Sequence, residues 1–262
     1  MLTKDDLARY QRQILYPGFG EEGQQKLKQS HVVVAGLGGL GCSVSLYLTC
    51  TGVGHVTLVD CDRVELSNLN RQVLHYEEDI GEGKPSSAAR KLARLNSSIE
   101  FTPVFKKITE HNARELIKGA NLVIDGMDNF ETRFILNEAC VAEGIPFIHG
   151  GVHGLLGEVT TILPGRTPCL CCIFPKVPHS KGPFPVFSVT PALIAILQVT
   201  EAIKLLAGFG SLLTGKMLHF NGETMDFAFR DLVKNENCRV CGAKGSQNKH
   251  RGEASSDSTE PC

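Results

Sequence analysis

The chain predicts an α/β fold, a Rossmann-like, mostly parallel sheet with antiparallel strands added toward the C-terminus. Three observations lead there. Short β-branched runs alternate with helix-period segments from His31 to His149. A glycine-rich turn stands between the first of those strands and the helix after it. Beyond Gly150 three further strand-like runs follow, with a single long apolar helix among them.

In chain order, residues 5–29 read as helical, broken at Tyr16-Pro17-Gly18. His31 to Ala35 is a β-branched run suited to a buried parallel strand. A helix then runs to about Cys50 and ends at Gly52-Val53-Gly54. His55 to Asp60 is the second strand. Lys84 to Leu95 is helical, with Pro85 in its first turn, where a missing N–H costs little. Phe101–Ile108, Leu122–Asp125 and Ile145–His149 read as strands, and Glu110–Lys118 and Phe130–Ala142 as helices. Glu158–Leu163, Met217–Asn221 and Met225–Phe229 read as strands joining one edge. Residues 243–262 are polar and aperiodic, the composition of a disordered tail.

Composition narrows the function. The 262 residues are 42% hydrophobic, enough for a sizeable core. Formal net charge is −1, with 27 basic and 28 acidic residues, so there is no basic excess of the kind that marks a nucleic-acid binder. The N-terminus MLTKDDLARYQRQ is charged and has no apolar signal core. Pro191–Ala207 is apolar but carries Gln198, Glu201 and Lys204, so it reads as a buried helix and not a membrane span. A cytoplasmic protein without a membrane partner is expected. In that setting ten cysteines point to buried, metal-bound or catalytic thiols, not to a disulfide framework.

The turn Gly36-Leu37-Gly38-Gly39-Leu40-Gly41 carries the first chemistry. Side chains at Gly36 or Gly38 would block a tight turn or an approaching phosphate, and Gly41 lets helix and strand pack closely. The helix start behind Gly39 offers unpaired N–H groups to an anion. Asp60 ends the next strand, where a carboxylate can hold a ribose hydroxyl. Taken alone, the motif would also suit a nicotinamide-dependent oxidoreductase, or a purely structural turn.

Cys169/Cys172 and Cys238/Cys241 form two C-x-x-C pairs. Each places two sulfurs on one side of a tetrahedral ion, and together they predict a closed, structural four-cysteine zinc site. A redox dithiol or chance clustering are the alternatives. Structural zinc contributes ~10–16 kcal/mol of binding free energy, so its loss would unfold that end.

Polar groups gather after strand ends, where open α/β sheets bind ligands: Asp62, Asn68, Arg71 and Gln72, then Lys84, then Asp125, Asp128 and Asn129. Each has an ordinary alternative. Arg71 could form a surface ion pair, Lys84 could be a plain first-turn residue, and Asp125 or Asp128 could cap the following helix. His149 and His153 flank Gly150-Gly151 and read as structural or as lining a partner's tail, with Leu156–Leu163 a candidate for strand-like pairing with it.

The ordered set RYQRQILYPGFG, GLGGLGC, Val59 through Gln72, GKP, DGMDN, both C-x-x-C pairs and TEAIKLLAG resembles the E1-like family of ThiF, MoeB and HesA proteins over about Arg9 to Gly242. The resemblance implies an ATP-dependent adenylyltransferase. It joins AMP to the C-terminal Gly-Gly carboxylate of a small ubiquitin-like sulfur-carrier protein. It implies a homodimer in which Arg12 reaches the neighbouring subunit's phosphates. Asp60 would hold the ribose, Asn68, Arg71 and Lys84 the phosphates, and Asp128 a Mg²⁺ ion. The single adenylation domain would span 1–242: a helical arm (1–30), a nucleotide-binding half (31–150) and a partner-binding, zinc-bearing half (151–242).

The sequence departs from the family in one loop. Many relatives carry a cysteine before the long apolar helix; here Pro183 stands at that position, and no cysteine occurs between Cys172 and Cys238. Covalent transfer from that loop is therefore not expected. An inactive scaffold that keeps fold and zinc is the non-catalytic alternative.

Overall fold

A computed structural model describes residues 1–176 and 184–242; Pro183 and the tail 243–262 lie outside the described residues. Three short helices, α1 (Lys4–Arg9), α2 (Gln11–Ile14) and α3 (Gly20–Gln29), precede the sheet. Thr3 caps α1 through a reciprocal hydrogen-bond box with Asp6. Next come β1 (His31–Ala35), α4 (Gly39–Thr51), β2 (His55–Asp60), α5 (Lys84–Leu95), β3 (Glu100–Phe105), α6 (Ala113–Ile117), β4 (Leu122–Asp125), α7 (Phe130–Glu143), β5 (Phe147–His153) and β6 (Leu156–Ile162). A one-turn α8 (Leu170–Ile173), the long α9 (Val189–Ala207), β7 (Lys216–Asn221) and β8 (Asp226–Asp231) complete the order.

One eight-stranded sheet holds them, in the order β3-β2-β1-β4-β5-β6-β7-β8. Pairings from β3 to β5 are parallel and those from β5 to β8 antiparallel. The chain runs outward from β1 to β3, then restarts at β4 on the other side. The crevice between the C-terminal ends of β1 and β4 is therefore the topological switch point, where such sheets bind ligands. Strand direction reverses only at β6, and β5 runs unbroken across Gly150.

Both sheet faces are covered. Val32, Val34, Val56, Leu58, Leu122 and Ile124 point into a core with α3, α4 and α9. Val33, Ala35, Val59 and Val123 point into a second core with α6, α7 and α8. This two-sided burial explains why the central strands read as continuous apolar runs. Pro103 sits in β3, an edge strand where its missing N–H breaks no ladder.

The helix α9 is long and apolar enough by composition to cross a membrane. Here it is a core helix. Gln198 is fully buried and its Nε2 donates to the carbonyls of Asp125 and Ile148. Glu201 is also buried, accepting from Thr161 Oγ1 and the Leu213 N–H.

Candidate active site

The glycine turn is built by close backbone approach. Gly36 has φ +88°, and a Cβ there would sit 2.7 Å from the Gly126 carbonyl oxygen. A Cβ on Gly41 would lie 1.8 Å from the Gly36 oxygen, so α4 packs against the strand end only because position 41 has no side chain. Gly38 differs: the nearest atom to its missing Cβ is Gln72 Nε2 at 4.0 Å, and the position opens into a cavity. Gly39 also lines it, with Pro191 of α9 3.1 Å from where its Cβ would be.

That cavity, about 1380 Å³, spans the switch point. One lobe is lined by Gly36, Gly38, Gly39, Asp60, Asp62, Arg71, Gln72, Lys84, Asp128 and Asn129. A second lobe continues past Gly151, Glu158 and Pro191 to His219 and Asp226. Asp60 is held on both oxygens: Oδ2 accepts from the Leu37 N–H at 2.6 Å and Oδ1 from the Asp62 N–H at 2.7 Å. Burial raises its carboxyl above the ordinary range although Lys84 and those N–H groups pull it down. Lys84 is 5% exposed, at the start of α5. Burial pulls its ammonium pKa down, but Asp60 and the Asp62 hydrogen bond outweigh this and hold it above its usual value.

The remaining expected residues fall in three groups. Arg71 lines the cavity, its Nη1 donating to the Ser67 carbonyl and Asn70 Oδ1; no ion pair engages it among the described residues. Gln72 is buried with Oε1 lacking a hydrogen-bond partner, an orphaned polar atom at a cavity wall. Asp128 and Asn129 are exposed at the cavity, and it is Asn129, not Asp125 or Asp128, that caps α7, its Oδ1 accepting from the Thr132 N–H. Asn68 lies just outside the lining; its Oδ1 accepts from the Glu65 N–H. Arg12 is exposed on α2 and away from this chain's cavity.

Asp125 is neither cap nor ligand. It is fully buried, with Oδ2 2.7 Å from His149 Nδ1 and 3.1 Å from Arg133 Nε, an ion pair whose N–H is not aligned for a hydrogen bond. His149 Nε2 lies 3.4 Å from Glu158 Oε1, and Glu158 Oε2 lies 3.7 Å from His219 Nδ1. Burial works against all these charges, but Arg133 and His149 hold Asp125 below its usual range, and Asp125 and Glu158 hold His149 above its own. This relay was not read as such from the sequence; nor were Lys106 and Lys107, which follow β3 and line the cavity.

The expected pairing of a partner tail along Leu156–Leu163 has no free ladder to use. Over Leu156–Val159, β6 is already paired to β5 on one side and to β7 on the other. Cys42 is buried behind the turn, donating to the Leu37 carbonyl, and burial pushes its thiol up to about 12, the character of a structural thiol.

Around α8, the Sγ atoms of Cys169, Cys172, Cys238 and Cys241 all lie within 4.8 Å of one another. Cys169–Cys238 is 3.7 Å and Cys172–Cys241 3.4 Å. A tetrahedral ion with Zn–S of ~2.3 Å needs sulfur–sulfur edges of ~3.8 Å, so the donor set fits. Cys171 is not one of the four; its Sγ accepts from Asn137 Nδ2 and Arg239 Nη2.

The ThiF family profile matches residues 10–240, nearly the whole described chain. The chain belongs to the ThiF family. ThiF-family relatives include the SAMP-activating enzyme E1 of Haloferax volcanii, 40% identical over 250 residues and covering 93% of this chain and 92% of that one. The sulfur carrier protein adenylyltransferase of Thermus thermophilus is 40% identical over 258 residues, covering 94% of each. Among solved structures, E. coli MccB with ATP superposes with a TM-score of 0.82 at 26% identity, covering 89% of this chain and 73% of that one.

Proposed function

We propose that this protein is an ATP-dependent adenylyltransferase acting on the C-terminal carboxylate of a small ubiquitin-like sulfur-carrier protein, or of a peptide. The observation that carries the reading is the continuous two-lobed cavity. Cations and an open glycine turn line one lobe, and residues of β5, β6 and β7 line the other. The names of the ThiF-family relatives support the same activity.

The chemistry suits the residues. A carboxylate is already anionic at neutral pH and needs no base. Its oxygen attacks the α-phosphorus of ATP, an acyl–phosphate bond forms, the bond to the β-phosphate breaks, and pyrophosphate leaves with the electron pair. What the protein must supply is alignment and charge neutralisation. In this reading Lys84, Arg71 and Arg12 of a second copy face the phosphates, Asp60 the ribose, and Gln72 fills its orphaned oxygen on the nucleotide. Asp128 would hold Mg²⁺, which supplies charge neutralisation at the phosphates when bound. The four cysteines would hold a structural zinc with no open position. With no cysteine between Cys172 and Cys238, the product is a free acyl-adenylate and not a loop thioester.

The test is ATP–pyrophosphate exchange with candidate carriers ending in Gly-Gly. Carrier-dependent exchange is expected; its absence with every carrier and peptide would remove the enzyme reading. ATP binding without NAD binding disposes of the oxidoreductase alternative, and turnover disposes of the inactive scaffold.

A further inference from the structure

The strand register gives Glu158 an unusual place. It pairs opposite Gly151 on β5 and opposite His219 on β7, with His149 two residues before Gly151 on the same face. A Cβ at position 151 would lie 3.0 Å from Glu158 Oε1 and 3.1 Å from its Cγ. Because glycine stands there, the Glu158 side chain lies flat over residue 151 and reaches His149. Burial raises its carboxyl pKa, but His149, with smaller help from His219 and Arg133, outweighs this and keeps it below the usual range, so Glu158 is ionised.

This carboxylate faces the second lobe, where its side chain is 24% exposed. Asp226 lines the same lobe; Arg133 also lines the cavity, but its guanidinium is engaged by Asp125 and by the Met127 and Gly150 carbonyls. The other lining cations, Lys84, Arg71, Lys106 and Lys107, stand at the nucleotide end. His149 is nearer Asp125 (2.7 Å) than Glu158 (3.4 Å), so the buried relay anchors Glu158 from behind and leaves its outer oxygen toward His219 and the lobe. The cavity is thus polarised: a bound tail has its terminal carboxylate drawn to one end and a positive group drawn to the other.

We infer that Glu158 is a specificity-determining residue, selecting a co-substrate with a basic side chain close upstream of the carboxylate to be adenylated. The inference rests on the adenylyltransferase reading above and adds the substrate's chemistry to it. Glu158 touches the tail and takes no part in the phosphoryl step; His149 is its positioning residue.

The test uses the full chain and N-terminally fluorescein-labelled hexapeptides ending in Lys-Gly-Gly, Ala-Gly-Gly or Glu-Gly-Gly, titrated by fluorescence anisotropy with AMP present. The lysine peptide is expected to bind at least ~10-fold more tightly than the alanine peptide, as a charge-assisted contact would give, and the glutamate peptide more weakly than either. Glu158→Gln should compress the three affinities to within about threefold, the scale left to a neutral acceptor. MgATP binding, measured in parallel, reports folding and the nucleotide site. Equal affinity for all three peptides in the wild-type protein, or no binding of the lysine peptide, overturns the inference while intact MgATP binding leaves the nucleotide reading standing. Failure to bind MgATP overturns both. If Glu158→Gln does not fold, the wild-type ranking still decides.

Discussion

Lys84 Nζ lies 2.7 Å from Asp62 Oδ2, and the lysine side chain is 6% exposed where the aspartate is 63% exposed. The cation is the fixed member of the pair. Asp62 can swing into solvent and yield its place to an incoming anion while Lys84 stays where α5 holds it. Lys84→Ala should reduce pyrophosphate exchange by ~10²–10³, the cost of losing one preorganised donor. Asp62→Asn should cost clearly less. Comparable losses from the two substitutions would show that the carboxylate has a role beyond charge balance.

The glycine turn separates structure from ligand binding. Gly41→Ala places a methyl 1.8 Å from a backbone oxygen, and neither backbone can retreat without pulling α4 off the strand end. It should lower the melting temperature markedly or prevent folding. Gly38→Val meets little within 4 Å and projects into the cavity. It should melt near wild type yet fail to bind a fluorescent ATP analogue. Normal nucleotide binding by Gly38→Val would mean that the phosphates lie elsewhere.

The parallel half of the fold was legible because each central strand is apolar on both faces and each helix starts or stops at a chemical signal. Lys84–Leu95 and Leu122–Asp125 lie where the sequence places them, and α4 closes on Gly52 at φ +85°. The weak region was 101–118. The strand stops at Phe105, and Asn112 holds Thr109 N–H and the Lys107 carbonyl with its side chain, which keeps 109–112 out of the short α6. That early stop turns Lys106 and Lys107 toward the cavity, which no local pattern announces. The Asp125–His149–Glu158 relay was equally hidden. It depends on the register of β5 against β6 and on a missing side chain at Gly151, both long-range facts.

The relay has a pH signature. His149 is fully buried and its folded-state pKa is raised above the ordinary histidine value. A group so raised contributes stability that is complete below its unfolded pKa of ~6.5 and is lost as pH rises through the folded value. His149→Asn should therefore destabilise the protein by ~3 kcal/mol at pH 6, since Asp125 and Glu158 lose the cation between them and Arg133 alone stays beside Asp125. The gap from wild type should narrow toward alkaline pH. Urea unfolding from pH 6 to 9.5 checks this; a gap that widens with pH would mean that His149 is neutral in the folded protein.

The cysteine cluster should contain about one zinc per chain by elemental analysis, the stoichiometry of a closed four-thiolate site. Cys169 and Cys238 are buried, and both join the core beneath α7 and α8. Cys241→Ser should release the metal and open the C-terminal segment to protease before the parallel half. Cys171→Ser should keep it, because that thiol faces Asn137 and Arg239. Metal-free wild-type protein with the same protease pattern would refute the structural role.

Arg12 poses the last question, because one chain does not bring it to its own cavity. It is exposed on a short helix of the N-terminal arm, where a lone arginine has no use in phosphate chemistry unless a second copy presents its pocket there. If nucleotide sites are shared across a homodimer, Arg12→Ala and Lys84→Ala should each abolish most pyrophosphate exchange alone. Mixed dimers of the two then contain one site with both residues intact and one with neither. Mixing the variants after partial unfolding and refolding should restore about a quarter of wild-type exchange: half the dimers are mixed, with one of two sites working. Two wild-type-like variants, or a mixture no more active than its parts, would place Arg12 outside the reaction and return the phosphates to the cations of a single chain.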